Sequence, residues 1–205
     1  MTTDAQALAI ATRALPQEPR AALHVAVLVG RTETHYGDNW DALGAGSNKW
    51  GAVQATDMSQ PAFPHLDHHA DGSPYMAAFR KYPTPEAGFK DMAFTVLKPN
   101  VVEAAERGDG TLAVHAMHDN GYFELDPAKY AAAMEKQYNA FLASTGEERL
   151  LSFDGTAPAA SGEAPAAAGG VSAVDLLIGA GLAWGAVELA AFLAPAKATP
   201  KGSTK

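Results

Sequence analysis

Glu33 is the side chain best placed for proton chemistry in this chain. It stands near the end of a run over residues 23–37 that is apolar, His24 apart, from Leu23 to Val29 and turns polar at Arg31. A run apolar on nearly every face reads as a helix passing through the core rather than lying on it. A carboxyl at the exit of such a helix is partly desolvated and sits at the negative end of the helix dipole; both effects favour its protonated form. An acid that keeps its proton near neutral pH can hand it to a leaving oxygen, which is what cleavage of a glycosidic bond requires. Gly37 is expected to end the helix in a left-handed conformation and to turn Glu33 toward a cleft. The plainer alternative is a solvated Glu in a fraying last turn.

The elements that must position this residue are legible from periodicity and caps. Residues 4–15 form a short helix with Leu8, Ile10 and Leu15, stopped by Pro16, and Pro19 fits the first turn of the core helix. His24 reads as a packed or rim histidine. From residue 38 to 83 helical period is lost among Gly, Asp, Asn, Pro and His, which suits a loop-rich lobe whose strands fall at 50–55 and 76–82. Thr84, Pro85 and Glu86 start a helix, with Phe89, Met92, Ala93, Val96 and Leu97 as its inward stripe. Helices over 99–107 and 111–119 follow; Leu112, Val114, Ala116 and Met117 turn mostly inward in the second. Gly121 and Tyr122 end it. Asp126 and Pro127 then cap a helix burying Tyr130, Met134, Tyr138, Phe141 and Leu142.

Composition narrows the function. The 205 residues are 47% hydrophobic and 19% charged, enough for a real core, and there is no cysteine, so thiol nucleophiles and thiolate zinc sites are excluded. Net charge is -8, with 12 basic against 21 acidic residues over 1–170, which argues against nucleic acid as a ligand. No basic leader precedes an apolar stretch near Met1, so no cleavable secretion signal is expected.

Four collinear segments carry a family resemblance. Glu33-Thr34-His35-Tyr36-Gly37 resembles the Glu-Ser/Thr-x-aromatic-Gly signature closing the catalytic helix of the lysozyme superfamily, in particular the N-acetylglucosaminidases of glycoside hydrolase family 73. Asn48-Lys49-Trp50-Gly51-Ala52-Val53-Gln54 is similar to its segment entering the small β-lobe, and Phe79-Arg80-Lys81-Tyr82-Pro83-Thr84 to its Phe-Arg-x-Tyr strand and turn. Gly121-Tyr122, with Asp126-Pro127 and Tyr130, resembles its Gly-Tyr-Ala-Thr-Asp-Pro-x-Tyr run. The resemblance implies a lysozyme-like bilobed fold, peptidoglycan glycan strands as partner, Glu33 as catalytic acid, and Tyr122 beside it orienting an acetamido group or water. On the residues alone Tyr122 could be a core plug.

In the lobe, Trp50, Gln54, Tyr75 and Tyr82 are candidates to hold sugar, although small-lobe aromatics are equally often core. Asp57, Asp67 and Asp71 are available as a second carboxylate, and no motif chooses among them. His65, Asp67, His68, His69 and Asp71 are metal-capable, but their spacing matches no zinc motif, and neither metal nor cofactor is assigned.

The expected class is thus α+β, mainly α: a lysozyme-like bilobed domain over 1–154 with a small loop-rich β-lobe. A flexible linker over 155–170 follows, where 13 of 16 residues are Ala, Gly or Pro, then a C-terminal apolar helix over 171–195 and a basic tail over 196–205. Residues 173–194 are long enough to span a bilayer, with Asp175 near an interface and Glu188 deeper; Gly181 and Gly185 permit close packing. A soluble helix docked on another protein is the alternative. If it spans, Lys197, Lys201 and Lys205 place the tail on the cytoplasmic side and the domain facing the wall, an arrangement that also suits a phage particle or lysis system. The expected activity is peptidoglycan hydrolysis at N-acetylglucosamine. A lytic transglycosylase or muramidase using the same Glu33, or a non-catalytic wall-binding or structural membrane protein, are the alternatives.

Overall fold

Helix α2, Arg20–Thr34, is the axis of the molecule: nine consecutive residues from Ala22 to Gly30 are buried. In the computed structural model, which describes residues 1–38, 44–51, 54–55, 61–68 and 73–154, it packs against α1 (Asp4–Ala14), α3 (Pro85–Val96), α4 (Pro99–Glu106) and α6 (Pro127–Thr145). Helix α5, Gly110–Asp119, completes the helical body against α4 and α6. Each large apolar side chain withdrawn from water stabilises this body by roughly 1.5–3 kcal/mol before entropy is counted. Mainly helical with one two-stranded sheet, the architecture is α+β.

Local chemistry explains the helix limits. Thr84 caps α3 by accepting from the Ala87 amide at 3.2 Å, and Asp126 caps α6 by accepting from Ala128 at 2.9 Å, each with proline in the first turn. Pro19 occupies the N-cap position of α2, one residue before its first turn. That helix ends earlier than expected. His35, Tyr36 and Gly37 are all left-handed, with φ of 47, 62 and 86°, so the reversal starts two residues before the glycine. Gly37 is needed for a further reason: a Cβ there would lie 2.5 Å from the Lys49 carbonyl oxygen. Tyr36 anchors the reversal, its ring buried and its hydroxyl donating to the Asp4 carboxylate at 2.6 Å. Arg31 and the Ser144 hydroxyl bond to that same carboxylate, which holds it below the usual carboxylate range against the effect of burial.

Strands β1, Ala62–His68, and β2, Pro74–Arg80, form an antiparallel hairpin in register Phe63 with Phe79 and Asp67 with Tyr75. Phe63, Ala77 and Phe79 make its own small core, with Tyr75 packed beside them. Two expectations fail here. Residues 50–55 do not form a strand among those described: Gln54 makes only an isolated bridge to Phe79, and Ala55 donates to Ala78 at 2.7 Å. Residues 62–68, read as loop, are the first strand, because the outer edge of a two-stranded sheet tolerates Pro64. Leu112 also departs from its inward assignment and is 44% exposed.

The last described segment is sewn to the body. Gly110 donates to the Ser152 carbonyl at 2.7 Å, Ser152 donates to Gly108 at 2.8 Å, and Leu151 and Phe153 are buried. The expected linker at 155–170, apolar helix at 171–195 and tail at 196–205 lie outside the described residues. Among the described residues no helix is long and apolar enough to cross a membrane.

Candidate active site

Glu33, half-buried in the last turn of α2, receives two phenols. The Tyr122 hydroxyl donates to Oε2 at 2.9 Å, and the Tyr130 hydroxyl lies 3.3 Å from Oε1 as its donor. Each tyrosine has its own positioning device. Gly121 ends α5 with φ of 75°, which brings Tyr122 back over the helix end, its amide donating to Met117 at 3.0 Å. Asp126 and Pro127 start α6 so that Tyr130 falls on its inner face, where it stacks on Phe123 at 4.1 Å between centroids. Both phenols are pushed well above their ordinary range, by burial first and by the charge of Glu33 after it, so both stay protonated and act as donors.

The residue after Glu33 has a stitching role. Thr34 is buried; its hydroxyl accepts from the Gly37 amide at 3.0 Å and donates to the Trp50 carbonyl. This draws residues 47–51 between α2 and α3. Three glycines admit them: a Cβ on Gly30 would approach the Trp50 ring at 2.9 Å, one on Gly51 would meet Met92 at 2.5 Å, and one on Gly88 would collide with the Asn48 carbonyl. Trp50 is therefore 1% exposed, with Phe89 and Tyr36 rings 5.2 and 5.3 Å away. This corrects its assignment as a sugar platform. It is core, and the space for its ring is made by Gly30, remote from it in sequence.

Lys49, beside Trp50, is also 1% exposed. Its ammonium lies 5.2 Å from the centre of the Phe79 ring and 5.9 Å from that of Tyr82. Burial pushes it down to about 7, with Arg80 assisting and the charges of Asp91 and Glu33 opposing. Tyr82 is half-buried; its hydroxyl donates to the Asp91 carboxylate, and its carbonyl accepts from the Asn48 side chain at 2.9 Å. Its role in this structure is to tie the hairpin exit to α3.

Three of the lobe residues come together on the inner side of the hairpin. The Tyr75 hydroxyl donates to Asp67 Oδ2 at 3.0 Å, and Gln54 Nε2 reaches that hydroxyl at 2.6 Å and the same Asp67 oxygen at 3.5 Å. All three are half-buried. Asp57 and Asp71 lie outside the described residues, as does His69. His65 packs edge-on to Phe79, and among the described residues no group of three His, Cys, Asp or Glu stands close enough to hold a metal.

Sequence reasoning placed Glu33 and Tyr122 in one site, and the structure brings them into contact. It missed the second phenol, Tyr130, and the burial of Lys49. Tyr130 was read as part of a buried stripe and as the closing residue of the run from Gly121, with no role at Glu33; nothing in the sequence marks Lys49 as buried.

A helical body carrying a small hairpin, with a carboxylic acid at the end of its central helix, defines the fold class. The chain is similar to a crystal structure of a peptidoglycan hydrolase from Sphingomonas sp. A1, with a TM-score of 0.50 and 23% identity, over 71% of this chain and 95% of that one. At this identity the likeness shows a shared fold, and the site must carry any functional argument. No protein-family model matches the chain, and no curated protein matches it in sequence.

Proposed function

We propose that this protein is a peptidoglycan hydrolase that cuts a β-1,4 glycosidic bond at N-acetylglucosamine, with Glu33 as the general acid. The observation that carries this reading is the convergence of two buried phenols on the carboxyl of half-buried Glu33 at the end of a buried helix. Such a carboxyl is fixed in direction by its donors. The shared fold with a peptidoglycan hydrolase supports the substrate class. Protonated Glu33 delivers its hydrogen to the leaving oxygen, and as it becomes an anion the hydroxyls of Tyr122 and Tyr130 stabilise the developing charge. Asp67, presented by Tyr75 and Gln54, is the described carboxylate on the hairpin that could serve as the second group of a two-carboxylate hydrolysis.

A lytic transglycosylase is the second reading, favoured by the fact that the hydrogen bonds at the α2 end converge on a single carboxylate. It would use Glu33 first as acid and then as base. Digestion of purified peptidoglycan with the full chain separates the two, since the transglycosylase fragment is one water lighter by mass spectrometry. Glu33→Gln is expected to lower clearing by about 1,000-fold while the far-ultraviolet circular dichroism stays unchanged. Undiminished clearing by the folded variant would sink both readings.

A further inference from the structure

Asp4 is the first residue of α1, and its carboxyl group, 9% exposed, receives donors from three other parts of the chain. Arg31 on α2 approaches side-on, its Nε bonding Oδ1 at 2.9 Å and its Nη2 bonding Oδ2 at 3.4 Å. The Tyr36 hydroxyl donates to Oδ1 at 2.6 Å, and the Ser144 hydroxyl on α6 donates to Oδ2. Arg31 is fixed a second time, its Nη1 donating to the Gln137 carbonyl at 3.3 Å and to the Gln137 side chain. Just before Asp4, the Thr2 amide donates to the Asp38 carboxylate, and Thr3 caps α1 in a reciprocal pair with Gln6. The start of the described chain is thus buckled onto the end of α2 instead of fraying.

Glu33 lies between the two clamped residues, two positions after Arg31 and three before Tyr36. Residues two apart on a helix project to different sides, so Asp4 grips the back of the turn whose front carries Glu33 to the phenols of Tyr122 and Tyr130. The phenols hold the carboxyl oxygens, whereas Asp4 holds the backbone that bears them. For stability alone a charged hub is a poor choice, since apolar packing of similar volume stabilises a core as well or better. What the side-on pair of guanidinium and carboxylate adds is direction, because two parallel bonds resist the rotation that an apolar contact allows. Proton transfer along one line is sensitive to direction: a misplacement of about 1 Å can lower a rate about 100-fold.

We propose that Asp4 is a positioning residue for the reaction of Glu33, holding the last turn of α2 through Arg31 before the acid and Tyr36 after it. This rests on the reading of Glu33 as the acid. Asp4 acts through the backbone and enters no chemical step.

The test compares Tyr36→Phe, Asp4→Asn and the double variant with the wild-type full chain on soluble glycan strands. Tyr36→Phe keeps the ring and every charge and loses the bond to Asp4; kcat should fall about 5-fold with KM unchanged within about twofold. Asp4→Asn should lower kcat about 10-fold, and the double variant no further, because both act through one contact. Arg20→Gln, which cuts the bond to Glu147 at the far end of α2, is the control for a loosened helix and should keep kcat. A second readout needs no substrate: the carboxyl-carbon NMR resonance of Glu33 should titrate about half a pH unit higher in Tyr36→Phe, because donors that favour the ionised carboxyl are then less well aligned. Unchanged kcat in folded Tyr36→Phe or Asp4→Asn, effects that multiply in the double variant, an equal loss in Arg20→Gln or an unmoved titration overturns the assignment of Asp4. If Asp4→Asn does not fold, Tyr36→Phe and its titration decide. If Glu33→Gln still clears peptidoglycan, the functional reading fails instead, and the titration alone decides whether Asp4 directs the carboxyl.

Discussion

The donors that face Glu33 come from 89 and 97 residues away in sequence, whereas those that face Asp67 come from 8 and 13. The helical side of the site therefore exists only once α2, α5 and α6 have packed, and its side chains inherit the rigidity of the main core. The hairpin side is assembled from neighbours in sequence over a core of three residues, Phe63, Ala77 and Phe79. A two-stranded sheet is marginal by itself. It is attached through Asn48, Ser47 and Ala55, and through the Arg80–Asp91 pair, while Leu66 and Met76 on its outer face are 52% and 62% exposed. On the function proposed above, the rigid wall would hold the proton and the lighter wall would supply the second group.

The largest test of that division is Asp67→Asn, expected to lower kcat by about 100-fold with little change in KM, measured on soluble glycan strands. If KM rises and kcat stays, the hairpin only grips the substrate, and the single-carboxylate mechanism gains. Next come the phenols. Tyr122→Phe should lower kcat by about 30-fold, and Tyr130→Phe, whose hydroxyl is more distant, by about 12-fold, since a hydrogen bond to a charged group contributes about 1.5–3 kcal/mol. Equal effects would show that the two oxygens of Glu33 are used alike.

The last test concerns stability of the helical wall and leaves the rate of clearing aside. His24 is fully buried on α2 beside the Tyr138 hydroxyl, and burial, assisted by Arg20 and opposed by Glu147, pushes it down to about 4. Its folded value lies below its unfolded one, so between pH 6.5 and 4 the unfolded chain binds the extra proton and stability falls as pH falls. The loss approaches roughly 3 kcal/mol at the lower end. Urea unfolding of His24→Gln should show a flatter dependence than the wild type between pH 6.5 and 5. An unchanged slope would assign the acid sensitivity elsewhere.

The parts of this molecule readable in advance are those governed by local rules. Thr84 and Pro85 start α3, Asp126 and Pro127 start α6, and the apolar run of α2 is buried as its composition requires. What was misread depends on partners remote in the chain. Trp50 is core because Gly30 lies under its ring, and residues 62–68 are extended because β2 offers them an edge. Lys49 could be recognised as buried only after Phe79, Tyr82 and Asp91 were in place. The contact between Glu33 and Tyr122 was legible only through a motif, since nothing in the periodicity of α2 or α5 points one toward the other.

The three left-handed residues after Glu33 have a mechanical consequence. Two of them carry side chains, and such conformations cost of order 1–3 kcal/mol each unless their surroundings hold them. Here the restraint is Tyr36 docked on Asp4, the first residue of α1. The bend is therefore loaded like a spring whose catch sits 32 residues earlier in the chain: whatever releases Asp4 lets the terminal turn of α2 relax, and the direction of the Glu33 side chain drifts with it.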